Sequence, residues 1–351
     1  MKWPSFTSRA PIGVDIGARH IRAAQVIGGR LSAAGSIPRT GPADALEERE
    51  LGRLGDMLRH EPFRGRTVVL AAPAGKLLTG IMELPPRASG APIDQLARTE
   101  LARRHNADAS ALETACWDLP SPARAANRTY VMAVAYAQAD AEALLNIVEA
   151  QGLNVQAIDV QSAAAARACA PLLEEVGGTG AILDLGWSSA RLVLIHQHVV
   201  VYERILPKGG VEGLARIVAA RRNVDVAIAE HLLAEDGVTN LIEEAGQGKP
   251  AVAGLGEGPS AHLEGVAAEL RIPMSYLASQ YHDGQLKRLL LIGGGAEIKG
   301  IDSFLASRLG IEVLAVRPGD LLDNWHGAEA LEDRHGPSLV TAIGLSQFVE
   351  R

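Results

Sequence analysis

Two short runs place an aspartate two residues before a glycine at the end of an apolar stretch: Val14-Asp15-Ile16-Gly17 and Leu183-Asp184-Leu185-Gly186. Glycine lets the backbone approach a phosphate, and successive N–H groups in such a turn can face an anion. The carboxylate can reach Mg²⁺ through its water shell, because magnesium gives up water reluctantly. One Asp-x-Gly loop is common in ordinary turns, whereas a pair can clamp a phosphate chain from both sides. A third run, Leu289-Leu290-Leu291-Ile292-Gly293-Gly294-Gly295-Ala296, is an apolar strand meeting a glycine loop. Such loops leave room for a base or ribose at strand ends of α/β folds. The Walker pattern GxxxxGK[ST] is absent, and Gly254-x-Gly256-x-Gly258 follows no strand, so it reads as a plain loop.

These loops need rigid elements around them, and the sequence supplies the same ones twice. Residues 14–22 laid over 183–191 bring Asp15 onto Asp184, Gly17 onto Gly186 and Arg22 onto Arg191 at one offset of 169 residues. Each copy continues as strand, tight turn and strand: 21–27, Gly28-Gly29 and 30–36, then 191–195, His196-Gln197-His198 and 199–205. Alternating apolar residues around such turns mark β-hairpins, and two halves that open alike point to duplication. Helices are expected over 43–59, 92–105, 139–151, 162–173, 211–222, 226–236, 261–282, 301–309 and 339–349, with Pro273 kinking or splitting 261–282. Further strands are expected over 67–72, 130–136, 155–160, 289–292 and 312–316, and 244–259 reads as a loop. Strands and helices alternate, so the class is α/β. The domain reading is a first core from 1–83, 153–176 and 331–351, with an inserted subdomain over 84–152. A second core takes 177–210 and 284–330, with a helical insertion over 211–283.

Composition narrows the function classes. A chain of 351 residues, 47% hydrophobic and 4% aromatic, suits more than one core built of Ala, Val, Leu and Ile. A net charge of −7 speaks against nonspecific nucleic-acid binding. Apolar runs such as 131–137 fall far short of the ~20 residues of a membrane span. Residues 1–6 lack the apolar core of a signal peptide, so a cytoplasmic place without direct membrane insertion is expected. Cys116 and Cys169 form no CxxC pair and are expected to be small buried hydrophobes in a reducing compartment. His196 and His198 could hold a metal but read better as an exposed hairpin tip.

In this order the elements resemble the PilM family, the actin-like cytoplasmic proteins of type IV pilus assembly. The resemblance covers nearly the whole chain: the first Asp-x-Gly, an insertion placed as in FtsA rather than actin, Ile158-Asp159-Val160-Gln161-Ser162-Ala163 and Asp184-Leu185-Gly186-Trp187-Ser188-Ser189. It continues through Pro207-Lys208-Gly209-Gly210, Ala229-Glu230, Glu269-Leu270-Arg271, the triple glycine and residues 337–345. It implies an actin/hexokinase/DnaK-like ATPase fold, with two duplicated ribonuclease-H-like halves around an ATP cleft. In that fold Asp15, Gly17, Arg19 and Arg22 would form a first phosphate loop, and Asp184, Gly186, Ser188 and Ser189 a second. Asp15 and Asp184 would stand near Mg²⁺ through water, and Gln161 would orient an attacking water. Gly209, Gly210, Glu230, Gly293, Gly294 and Gly295 would line the adenosine pocket. The implied partner is the cytoplasmic tail of a PilN-like membrane protein, held in a groove beside the inserted subdomain, with other pilus platform proteins nearby. The implied place is the inner face of the membrane, reached through that partner, with ATP as a conformational ligand.

Four departures from the family pattern bear on the nucleotide. Ala18-Arg19-His20 replace a Ser/Thr run, and Arg22 takes a lysine position. The usual threonine after Gly209-Gly210 is missing, Leu233 replaces a lysine, and Trp187 is bulky where a small residue is usual. Arginine can still meet a phosphate, but the missing donors predict nucleotide binding that is weakened or lost and hydrolysis that is slow or absent. One alternative is a sugar or acetate kinase of the same fold, which needs a carboxylate base; Asn106-Ala107-Asp108 is the nearest, inside the insertion. The other is a nucleotide-free scaffold like the cytoplasmic domain of GspL.

Overall fold

Every residue of β1 (Ile12–Ile16) is buried, as a central strand covered on both faces requires. The structure, a computed structural model, describes residues 10–41, 46–60, 62–121, 128–246, 258–281, 285–322 and 336–349. On one side β1 pairs antiparallel with β2 (His20–Ile27), which pairs with β3 (Arg30–Pro38). On the other it pairs in parallel with β4 (Thr67–Ala71), which pairs with β8 (Asn154–Asp159). The second half repeats this with β9 (Gly180–Leu185), β10 (Ala190–His196), β11 (Val199–Leu206), β12 (Arg288–Ile292) and β13 (Glu312–Ala315). The orders β3-β2-β1-β4-β8 and β11-β10-β9-β12-β13 are one topology, so the sequence repeat extends to whole sheets. Register carries it to single residues: Asp15 stands opposite Arg22, and Asp184 opposite Arg191.

A third sheet, ordered β5-β7-β6, is made of β5 (Leu78–Leu84), β6 (Leu112–Asp118) and β7 (Thr129–Ala137). α1 (Glu48–His60) packs Leu51, Leu54 and Leu58 on the first sheet, and α2 (Ile93–His105) packs Ile93, Ala97 and Leu101 on the third. The edge strands β5 and β6 escaped the sequence reading because their residues are largely half-buried or exposed and carry no clean alternation. The third sheet thus starts before residue 84, and α3 (Gln138–Glu149) sends Leu144 and Val148 into the first core instead. Trp117 Nε1 donates to Val200 O at 2.8 Å, and Leu119 and Met132 join the second half's core, so the insertion leans on the far half.

The expected helix over 162–173 is two: α4 (Gln161–Ala168) and α5 (Ala170–Glu174), broken at Cys169 with Pro171 in the first turn of α5. α6 (Val211–Arg222) and α9 (Ile301–Leu309) match expectation. α7 (Val226–Gly246) runs past 236 and bends at Gly237, whose φ is 70°. The helix thus takes the start of the expected loop 244–259, and most of that loop, with Gly254 and Gly256, lies outside the described residues. α8 (Pro259–Gln280) continues through the buried Pro273 as one helix and does not split. α10 (Val340–Ser346) closes the fold after a 3-10 turn at Gly336–Leu339.

One core runs between the halves. Ala24, Val26 and Leu31 of the first sheet, Ile182, Val193 and Ile292 of the second, and Ala165, Val340 and Ile343 of α4 and α10 form a single buried cluster. Two glycines let these elements meet backbone to backbone. A Cβ on Gly13 would fall 2.0 Å from Ala342 O, and one on Gly344 would fall 1.9 Å from Ala164 O. Ser346 Oγ then accepts from Val26 N and donates to Pro11 O, both at 2.8 Å.

Gly13→Ala is therefore expected to destabilise the protein by about 3 kcal/mol, because backbone rather than a movable side chain blocks the methyl group. Gly265→Ala, exposed on α8 with nothing within 4 Å, is expected to stabilise it by up to about 1 kcal/mol. Calorimetric unfolding of the two variants should show shifts of opposite sign.

Candidate functional site

The first Asp-x-Gly loop is held from behind. Gly17 N donates to His20 O at 2.9 Å, closing the turn between β1 and β2. Gly17 O accepts from Arg39 Nη1 at 3.0 Å, and Arg39 pairs with Glu50 at 3.4 Å, both side chains being buried. Burial alone would raise the Glu50 pKa, but backbone N–H donors from Gly41, Thr40 and Glu47, together with Arg39, pull it down to about 2. The loop therefore rests on a charged anchor at the start of α1.

The second loop is tied to the helix that follows its hairpin. Val211 N donates to Gly186 O at 3.0 Å and Glu212 N to Trp187 O at 2.9 Å, so the first turn of α6 finds its partners in the loop. Gly210 must be glycine, since a Cβ there would lie 2.4 Å from Trp187 O. Gly293, at φ 82°, leaves room for Asp184: a Cβ would fall 2.3 Å from the Asp184 Oδ1 atom.

A hydrogen-bonded chain crosses the floor between the halves. Gln161 Nε2, at the start of α4, donates to Asp15 Oδ1 at 3.1 Å, and Gln161 Oε1 accepts from Arg191 Nη2 at 2.7 Å. Burial raises the Asp15 pKa, opposed by Arg22, the Gln161 hydrogen bond and Arg191. Removal from water pushes Asp184 up to about 6, helped by the charge of Asp15 and opposed by Arg191 and Arg22. At the mouth, Arg19 pairs with Glu230 at 3.1 Å and lies 4.2 Å from the centre of the Trp187 ring.

Together these elements enclose a cleft of about 1020 Å³ between the halves. Asp15, Gly17, Arg19, Arg22, Gln161, Asp184, Gly186, Ser188, Ser189, Glu230 and Gly293 to Gly295 all line it, alongside Leu233 and Trp187. Gly209 and Gly210 are not on the wall; both are buried behind the second loop, against Ala190 and residues 187–189, and act as its buttress. His196 and His198 do not converge: His196 Nδ1 is 2.9 Å from Thr179 Oγ1 with its ring stacked on Tyr281, while His198 packs on Gly178. Asp108 caps its own turn, accepting from Ser110 N at 2.9 Å, and does not reach the cleft. Sequence reasoning passed over Arg39, Arg191 and Thr341 as lining groups, although the repeat had already set Arg191 beside Arg22.

The lining suits a phosphate chain with a cation. The Arg22 side chain reaches toward Gly17 and Gly294 and, among the described residues, makes no hydrogen bond or ion pair. Two carboxylates with raised pKa values face it across the floor, a charge pattern that a bound cation would relieve. Among the described residues no three acidic, histidine or cysteine side chains cluster as metal ligands. A magnesium ion here would therefore keep water and phosphate oxygens in its shell beside Asp15 and Asp184.

No protein-family model and no curated protein matches the sequence. Solved structures do match. A chain of the PilM–PilN type IV pilus biogenesis complex superposes with a TM-score of 0.75 and 23% identity, covering 96% of this chain and 98% of that one. The ethanolamine utilization protein EutJ from Carboxydothermus hydrogenoformans gives 0.57 and 16% over 97% and 89%. MreB5 of Spiroplasma citri bound to ADP gives 0.51 and 14% over 97% and 96%. The chain has the actin/hexokinase/DnaK-like fold.

The floor charges make stability depend on pH. Asp184 ionises near pH 6 in the folded protein against a reference of 3.8, so its neutral form favours folding. That contribution is complete below pH 3.8 and is lost as pH rises through about 6. Asp184→Asn removes it, and the Tm of the variant relative to wild type is expected to climb between those two pH values. A constant difference across the range would contradict the assignment.

Proposed function

We propose that this protein is an actin-like scaffold of a type IV pilus or related secretion platform, with ATP and Mg²⁺ in the cleft as a conformational ligand. The observation that carries this reading is the pair of register-matched Asp-x-Gly loops, with Asp15 and Asp184 facing one cleft from the two halves. The full-length superposition on a chain of the PilM–PilN complex supports it. In the cleft Arg22 would neutralise a phosphate oxygen, Asp15 and Asp184 would hold the water shell of the cation, and Ser188 and Ser189 would donate hydrogen bonds. Gly293 to Gly295 leave open wall for the nucleoside, and the apolar Leu233 gives it no polar contact. The cation would neutralise phosphate charge. A ligand that touches both halves favours the closed arrangement over the open one, which is how it would act without rapid turnover.

A second arm of the cleft supports a partner. We take as this arm the part of the lining made by Pro73, Lys76, Tyr136, Asp140 and Ile147, where the first core meets the inserted sheet, with Lys76 paired to Asp140 at 2.6 Å. This arm would receive the cytoplasmic tail of a PilN-like membrane protein and so bring the scaffold to the inner membrane. Other platform proteins would join through that assembly. The arm opens from the same cleft as the nucleotide, which would link the two binding events.

Two measurements test the reading separately. Labelled ATP with Mg²⁺ should bind, and Arg22→Met should weaken it about tenfold or more, the loss of one charge-assisted hydrogen bond. A synthetic tail peptide of the PilN-like protein should bind the wild type, and Ile147→Glu, at a partly exposed position, should weaken it without lowering Tm. Wild type that takes up no peptide, assayed with and without ATP, would sink the scaffold reading.

A further inference from the structure

We infer that Arg191 is a positioning residue that withholds Gln161 from chemistry in the cleft, with Glu203 as the alternative seat that would release it. This rests on the nucleotide reading of the cleft. The amide of Gln161 has neighbours of single polarity. A guanidinium only donates, so Oε1 must face Arg191, which leaves Nε2 for Asp15. The bond from Arg191, at 2.7 Å, is the shorter of the two, is charge-assisted and comes from the opposite half. A glutamine orients an attacking water through hydrogen bonding by its amide. In that hydrolysis the water oxygen bonds to the terminal phosphorus, the bridging P–O bond breaks with its electron pair leaving on the diphosphate, and the water's proton passes to the phosphate released. With both ends of its amide bound, Gln161 cannot turn toward such a water without giving up Arg191.

Arg191 has somewhere to go. It stands opposite Ile205 in the β10–β11 register, which puts Glu203 on the same face, one diagonal step away. Glu203 Oε2 is 3.8 Å from Arg191 Nη1, its side chain is 7% exposed, and that oxygen accepts no hydrogen bond. A buried carboxylate oxygen without a donor is costly, and a shift of about 1 Å would supply one. One guanidinium thus lies between the half-buried amide of Gln161 and the buried carboxylate of Glu203, and sits at bonding distance from only the first. The duplication divided its arginines: Arg22 faces the open cleft, and Arg191 holds Gln161.

Arg191→Lys keeps the charge and removes the planar fork. Phosphate release from ATP with Mg²⁺ is expected to rise about tenfold, the equivalent of one charged hydrogen bond no longer opposing the turn of the amide, while ATP affinity stays unchanged. In the ligand-free protein the side-chain amide resonance of Gln161, identified by its loss in Gln161→Ala, is expected to shift. Glu203→Gln, which removes the rival charge, should leave that resonance in place and lower turnover. A lysine variant with lower Tm and weaker ATP binding but no gain in turnover overturns the withholding role. If the wild type binds no ATP, the nucleotide reading falls by itself. The ligand-free resonance then decides the hold on Gln161, and an unmoved signal overturns that as well.

Discussion

Backbone meets backbone at Gly13 and Gly344, and the geometry of the cleft follows from that contact. β1 lies against α10 at the first glycine, and α10 lies against α4 at the second, at distances that leave no room for a methyl group. Because α10 and α4 sit in the core shared by both sheets, this packing sets where the ends of β1 and β9 stand relative to each other. Asp15 and Gln161 are carried on these same elements. A cleft assembled from two halves needs such a rigid middle, since looser packing would let the loops drift out of reach of a common ligand.

On that frame the charges of the site are arranged in duplicate. Each half supplies an aspartate with an arginine opposite it on the next strand, and all four groups converge on one floor. Burial raises both carboxylate pKa values, and the Coulomb pull of the arginines only partly offsets it. Two of the polar contacts that span the halves, one at the mouth and one on the floor, differ in strength for a simple reason. At the mouth the side chains of Arg19 and Glu230 are 42% and 39% exposed, so their ion pair is worth at most about 1 kcal/mol, with a similar amount from the stacking of Arg19 on Trp187. On the floor Arg191 is buried and Gln161 half-buried, so their contact is screened less than the pair at the mouth.

The same layout accommodates the residues at which the sequence departs from the pattern it resembles. Without hydroxyls after Gly17, the first loop has Arg22 beside it and is held from behind by Arg39. Trp187, bulky for its position, is accommodated by stacking under Arg19. Leu233 is buried in the core of the second half and serves packing at the cleft wall. The altered residues have local structural partners, so the scaffold tolerates them even where they change the ligand chemistry.

Much of this was legible before any coordinates. The repeat, the hairpins, the glycine loops and most helices are local patterns, in which neighbouring residues impose φ, ψ and strand or helix period on one another. That information marked Asp15, Asp184 and the triple glycine as phosphate and nucleotide loops, while Gln161 and the shared cleft were implied by the family resemblance. It did not suffice for β5 and β6, which acquire their identity only by pairing with β7, or for the break between α4 and α5. Nor could it tell that Gly209 and Gly210 serve as a buttress or that Arg191 binds Gln161. Those outcomes depend on contacts between residues far apart in the chain. A hydrogen bond between groups 30 residues apart on different elements, such as that from Arg191 to Gln161, exists only once the two sheets have packed on their shared helices.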